Sequence, residues 1–312
     1  MGQKPVLGAA SDHMYRMIFL TSAGFNLLKG KPVSDYIKEK TTDMVSVMLE
    51  KNIVPTLGIL RVGANESDMA YENSAVKTAN ALGIHIEKYI MDADSDESDI
   101  LDVLKVMNED GNIHGILLFR PLPESVDEDK IRNHIAPQKD VDGISDASVA
   151  GLFTGNRRGF PPCTAEAAIA ILDYYGIGLE GKKVAVIGRS LVVGKPVSMM
   201  LLDRNAAVTM CHSRVSPEDL VQICKNSDII ISAAGRINTV TADHVSGSQT
   251  IIDVGINFDP SGKMCGDADM DDIGEKASAI TPVPGGVGSV TTALLMYHVA
   301  EAAEAAAAKQ ED

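Results

Sequence analysis

Two glycines, Gly188 and Gly194, frame the segment of this sequence best equipped for chemistry, Gly188-Arg189-Ser190-Leu191-Val192-Val193-Gly194-Lys195-Pro196. An apolar run at 183–187 leads into it. A helical pattern carrying Met199, Met200, Leu201 and Leu202 leads out from Val197. Strand, glycine turn and helix in that order aim backbone N–H groups and the positive end of a helix dipole at a pyrophosphate, and the second glycine lets helix and strand pack closely. The middle glycine of G-x-G-x-x-G is missing, so an ordinary βα turn is the competing reading. The following strand ends Cys211-His212-Ser213-Arg214, where an NAD site would carry an acid for the ribose 2′-hydroxyl. Arg189, Ser213 and Arg214 instead offer positive charge and a hydroxyl suited to a 2′-phosphate, which favours NADP over NAD. Solvated surface arginines are the alternative there.

Those loops need a scaffold, and periodicity supplies one. A helix from Lys29 with Val33, Ile37, Met44, Val47 and Leu49 on its apolar positions precedes a buried parallel strand at 55–62. Strands at 84–90 and 114–119 then alternate with helices at 67–82 and 99–107. The stretch GLFTGNRRGFPP at 151–162 breaks the pattern and marks a candidate domain boundary. Beyond it come a helix at 165–175, strands at 183–187, 207–211, 229–232 and 250–254, and an alanine-rich final helix at 291–308 whose apolar face includes Leu294, Leu295, Tyr297 and Val299. The expected architecture is two α/β domains.

With 312 residues, 45% of them hydrophobic, the chain is long enough for two cores. A net charge of -15 argues against nucleic acid as a partner. The four cysteines are widely spaced with no CxxC pair, which fits neither a metal site nor a disulfide framework and points to a reducing cytoplasm. Residues 14–28 faintly imitate a signal peptide, but they fall short of the roughly 20 apolar residues of a membrane span. No membrane association is expected, and residues 1–27 read as an extension that packs or frays.

Several segments together resemble the folate-dependent methylenetetrahydrofolate dehydrogenase/cyclohydrolases. They are Lys139-Asp140-Val141-Asp142-Gly143, Pro162-Cys163-Thr164, the loop from Gly188 to Pro196, Cys211-His212-Ser213, Asp253-Val254-Gly255-Ile256-Asn257, Gly266-Asp267, and the run from Thr281 to Gly288. The resemblance implies a folate-binding catalytic domain at 28–161, completed by the C-terminal helix at 289–308, and a Rossmann NAD(P)-binding domain at 162–288. It also implies homodimers, a tetrahydrofolate substrate, and two successive reactions: NADP-dependent oxidation of 5,10-methylenetetrahydrofolate, then hydrolysis of the methenyl cation. Tyr71 corresponds to the tyrosine that packs on the folate rings and Asp142 to the aspartate that anchors the pterin, a carboxylate suited to the ring's N–H donors. Pro284, Gly285 and Gly286 resemble the loop beside folate and nicotinamide. Gly188, Arg189, Ser190, Gly194, Ser213, Arg214 and Ile256 fall at the cofactor.

The second reaction needs water activated, which the family assigns to a lysine one helical turn after the tyrosine and to a glutamine beside it. This chain has Ala75 and Phe119 at those positions. Lys77 lies about 120° around the helix from Tyr71 and does not replace the lysine. The expectation is a dehydrogenase whose cyclohydrolase half is weak or lost, with Arg120 a new cation for a substrate carboxylate or a surface charge. An intact bifunctional enzyme and a non-catalytic folate- or nucleotide-binding protein are the alternatives.

Overall fold

The computed structural model of the chain describes residues 19–20, 26–274 and 276–311. In chain order the elements are β1 (Phe19–Leu20), β2 (Asn26–Leu27), α1 (Gly30–Glu50), β3 (Thr56–Val62), α2 (Glu66–Ala81), β4 (His85–Met91), α3 (Glu97–Glu109), β5 (Gly115–Leu118), α4 (Glu128–Arg132), α5 (Asp146–Thr154) and α6 (Cys163–Tyr174). They continue with β6 (Lys183–Ile187), α7 (Gly194–Asp203), β7 (Ala207–Cys211), α8 (Pro217–Lys225), β8 (Ile229–Ser232), β9 (Thr250–Asp253), β10 (Asn257–Phe258), β11 (Met264–Cys265), α9 (Met270–Ile273), β12 (Ala279–Ile280) and α10 (Gly288–Glu311). Two compact units result, one holding Asp35–Cys163 and Thr292–Asp312, the other the chain up to Ser34 and Thr164–Thr291.

The first unit is built on a three-stranded parallel sheet in the order β4-β3-β5. Its central strand, TLGILRV, is buried in all but its last residue because each face meets a covering layer, with Thr56 and Arg61 as its polar members. Leu60, Ile100, Leu104, Met107, Ile113, Ile116 and Leu118 form its core. Glu72 on α2 is buried and receives Arg61 Nε at 2.8 Å and Lys88 Nζ at 2.7 Å, which ties α2 to β3 and β4. From Ala293 to Ala303 α10 is buried on most of its circumference, with Leu294, Leu295 and Val299 fully covered.

The second unit carries a seven-stranded sheet in the order β1-β2-β12-β9-β8-β6-β7, parallel except for the β1–β2 pair. Chain order reverses direction between β6 and β8, and the ends of those strands define the crevice where a doubly wound sheet binds its ligand. Ala185, Ile187, Ile230, Ile251 and Ile280 fill its core, with Cys211 and Cys224 as buried thiols.

One expectation needs correction, and the two units divide the chain slightly differently from the expected bounds. Val47 and Leu49 on α1 are 57% and 43% exposed; the buried stripe runs through Val33, Ile37, Val45 and Met48, one step round the helix. Residues 28–34, expected in the first unit, group with the second, because Leu28 N–H bonds Ile280 O at 2.9 Å and Gly30 N–H bonds Gly285 O at 2.8 Å. The 151–162 stretch, expected as the boundary, is partly helical. Gly151 to Thr154 complete α5, which Gly155 caps in the left-handed conformation, and the change of unit follows Cys163. The signal-like stretch lies mostly outside the described residues.

Candidate functional site

In the first unit the site gathers at the C-terminal ends of β3 and β5. Phe119 extends β5, its N–H bonding Leu60 O at 3.0 Å, and its ring meets the Tyr71 ring edge-on at a centroid distance of 5.8 Å. Tyr71, on the first half of α2, is 38% exposed. Its hydroxyl bonds Thr292 on α10, and burial of the phenol together with the Asp142 charge raises its pKa, so it stays protonated. Four residues along the same helix face, Ala75 is completely buried.

Asp142 is presented by a turn that its neighbours build. Asp140, fully buried, accepts from Ile144 N–H at 3.0 Å, Ser145 N–H at 2.8 Å and Ser148 Oγ at 2.6 Å. Lys139 Nζ donates to Met107 O at 2.9 Å and Asp110 O at 2.6 Å. Gly143 takes φ +67°, and a Cβ there would sit 2.5 Å from Phe160 O. Lys139, Asp140 and Gly143 of the motif are therefore structural, and Asp142 is the member left for a ligand. Asp142 keeps part of its surface accessible, yet its carboxyl is closely enclosed, and burial pushes its pKa up to about 6 against the pull of the Arg120 cation. Asp140 reinforces the rise, while a hydrogen bond from Cys163 and the nearby His298 oppose it.

Cys163, Thr292 and His298 are functional neighbours that sequence reasoning left without a role. His298, fully buried, holds its Nδ1 2.7 Å from Val141 O and 3.6 Å from Cys163 Sγ, with the Phe160 ring stacked at 4.8 Å. A histidine alone in an alanine-rich helix was the available signal. Arg120 follows Phe119, and its Nη1 lies 3.5 Å from Glu128 Oε1, while Glu128 Oε2 accepts Leu122 N–H at 3.1 Å. The guanidinium is thus tethered at the rim and is not free surface charge.

In the second unit the glycine loop is built as the spacing predicts. Gly188 has φ +136°, and a Cβ on it would overlap Ala233 O; a Cβ on Gly194 would overlap Gly188 O. Ser190 Oγ accepts Val193 N–H at 3.1 Å, and Ser190 O accepts Lys195 N–H at 3.0 Å. The loop's own contacts leave the N–H groups of Arg189, Ser190 and Leu191 unused by any described acceptor, which suits a phosphate cradle. Ile187 and Cys211 are register partners, so the loops bearing Arg189 and Ser213-Arg214 leave the sheet side by side, all three residues exposed. Ile256, 58% exposed, follows β9.

In the same unit, Pro284-Gly285-Gly286 forms a turn that pins Gly30 through Gly285 O. Gly285, at φ +99°, faces open space, which admits a ligand, whereas Gly286 is required internally because a Cβ would lie 2.5 Å from Pro282 O. Tyr71, Arg120 and Asp142 lie in one unit and the cofactor and proline-glycine loops in the other. No cluster of potential metal ligands occurs among the described residues. Nor is any helix among them long and apolar enough to cross a membrane.

The model of the tetrahydrofolate dehydrogenase/cyclohydrolase catalytic domain matches residues 28–142, and that of the same family's NAD(P)-binding domain matches residues 162–307. The chain belongs to this family. Among family members, the bifunctional protein FolD of Alkaliphilus oremlandii is 47% identical over 277 residues, covering 89% of this chain and 96% of that protein. The bifunctional enzyme FolD of Campylobacter jejuni superposes with a TM-score of 0.87 at 36% identity, covering 90% of this chain and 99% of that one. The Trypanosoma brucei FolD dehydrogenase-cyclohydrolase, solved with NADP cofactor and an inhibitor, gives 0.84 at 30% identity, covering 90% and 98%. The two-domain α/β fold and the NAD(P)-binding domain are thus family properties that this chain shares.

Proposed function

We propose that the chain is an NADP-dependent methylenetetrahydrofolate dehydrogenase whose cyclohydrolase step is weak or lost. One observation carries the second half of that reading. At the two positions that match the family's water-activating pair, the site presents only hydrocarbon: the buried methyl of Ala75 and the Phe119 ring against Tyr71. Neither can accept or deliver a proton. Lys77 is exposed on another face of α2 and does not substitute.

The oxidation asks little proton transfer of the protein, because the two nitrogens flanking the one-carbon bridge stabilise the cation as it forms. Positioning supplies the catalysis. Tyr71 offers a ring face and edge to the folate, and Asp142 accepts from the pterin's N–H donors. The dry wall of Phe119 keeps water from the product carbon. NADP would be held by Gly188, Arg189, Ser190, Gly194, Ser213, Arg214 and Ile256, and it supplies the hydride acceptor. The Arg189 and Arg214 guanidiniums suit a 2′-phosphate, which favours NADP over NAD.

A fully bifunctional enzyme is the second reading, favoured because relatives of 44–47% identity carry the name bifunctional protein FolD. Absorbance at the methenyl band separates the two. Purified protein with methylenetetrahydrofolate and NADP should accumulate methenyl product, and added methenyltetrahydrofolate should decay no faster than in buffer. Rapid decay refutes the loss of the second step. Ala75→Lys combined with Phe119→Gln should then accelerate that decay at least about tenfold, within the usual worth of a positioned acid-base group. No gain from the pair means that the pocket has diverged beyond these two residues.

A further inference from the structure

Apart from Ile256, the motifs Asp253-Val254-Gly255-Ile256-Asn257 and Gly266-Asp267 play no direct part in the chemistry above, yet they converge on a buried polar cluster of the second unit. Asp267 is completely buried. Its Oδ2 accepts Ser232 Oγ at 3.1 Å, Ala234 N–H at 2.6 Å and Gly235 N–H at 3.2 Å, and its Oδ1 accepts Arg236 N–H at 2.9 Å and Asn257 Nδ2 at 3.0 Å. Asp253, 3% exposed, accepts Gly255 and Asp267 N–H on Oδ1, both at 3.0 Å, and Ala268 N–H on Oδ2 at 2.8 Å. Both glycines are sterically required, since a Cβ at Gly255 would overlap the Asp267 carboxylate and one at Gly266 the Asp253 carboxylate.

The turn that Asp267 holds, 234–236, follows β8 and so forms one wall of the crevice at the reversal of strand order, opposite the Gly188 loop on β6. Ala233 N–H bonds Ile187 O at 2.8 Å, which joins that wall to β6. Three successive backbone N–H groups converging on one point make the kind of concavity that binds an anion. Here an internal carboxylate occupies it from behind.

We propose that Asp267 is a positioning residue for the cofactor: by satisfying the 234–236 amides from within, it fixes the crevice wall and, through Asn257, the loop that displays Ile256. A phosphate finds no free amide on that wall, so the pyrophosphate is directed to the Gly188 loop and the 234–236 wall receives the nicotinamide-ribose half. The inference rests on the reading of this unit as an NADP site.

NADPH is the probe, titrated by fluorescence against the full chain and its variants, with KM for NADP and for methylenetetrahydrofolate measured in parallel. Asp267→Asn keeps the shape but turns one acceptor into a donor facing N–H groups. NADPH binding should weaken about tenfold or more, the usual cost of leaving buried donors unmet, with KM for the folate within about twofold of the parent. Ser232→Ala, which removes one donor to Asp267 and no backbone contact, should weaken NADPH by a few-fold and decides the matter if Asp267→Asn does not fold. Unchanged NADPH affinity in the folded variants, or an equal rise in both KM values, overturns the proposal. A parent protein that binds no NADPH refutes the cofactor reading itself.

Discussion

Asp142 serves two incompatible demands, accessibility to a ligand and enclosure among Tyr71, Cys163 and His298, and its acidity records the compromise. Burial raises its pKa from the ordinary 3.8 to about 6, so the folded chain binds this proton more tightly than the unfolded one does. On this account stability is greatest below the ordinary carboxylate range and declines as pH rises through 6, and the ionised group costs on the order of 3 kcal/mol at neutral pH. Asp142→Asn should therefore raise the thermal midpoint by a few degrees at pH 7 while raising KM for the folate at least about tenfold. A lowered midpoint with unaltered KM would contradict both halves. The same titration predicts that KM for the folate climbs as pH falls below about 6. Arg120 is the strongest opposing charge on this carboxyl; Arg120→Leu should move that acid limb to higher pH, and an unmoved limb excludes its influence. The resemblance alone singled out Tyr71, Ala75, Phe119 and Asp142, and the structure sets the Tyr71 and Phe119 rings edge to face. Cys163, Thr292 and His298 were not legible, because they reach Asp142 and Tyr71 from elements remote in sequence, and only packing brings them there.

Elements were legible where both faces are buried. Strands β6 and β8 match the expected spans to the residue, since an apolar run enclosed by covering layers has sharp polar ends, and the edge strand β7 matches too although it alternates exposed and half-buried residues up to Cys211. Helix α1 was harder, because Val47 and Leu49 lie outside its buried stripe and apolar identity alone does not say which side a residue takes. Helix α7 also begins earlier than its apolar pattern, at Gly194 instead of Val197. The reason is the close approach of Gly194 to Gly188 O, which brings the first turn of the helix against the end of β6. That approach makes the junction intolerant of any side chain. Gly194→Ala should weaken NADPH binding about tenfold or more and lower the thermal midpoint, because the displaced atoms are backbone and cannot swing aside. Gly155→Ala makes a useful contrast at the end of α5: nothing lies within 4 Å, so its cost is the left-handed φ alone and NADPH binding should be unaltered.

At the scale of the molecule, each unit has its own sheet and core. Tyr71, Arg120 and Asp142, proposed for the folate, lie in the unit of the three-stranded sheet, and the loops proposed for the cofactor follow β6, β7 and β8 in the other. Ligand binding stabilises whatever it contacts by mass action, and amide exchange reports the stabilised segments one by one. NADPH alone should therefore slow exchange across 183–190, 211–214 and 232–257 and leave 56–62 and 115–120 at their unliganded rates. A folate product alone should slow 56–75 and 115–145, together with the turn at 284–286 if the folate reaches it. Slowing of 56–62 by NADPH alone would mean that the two cores are coupled energetically and do not act as separate binding bodies. In that case the cofactor also pre-organises Tyr71 and Asp142, and KM for the folate should fall as NADP approaches saturation, which the same steady-state assay reads without further variants.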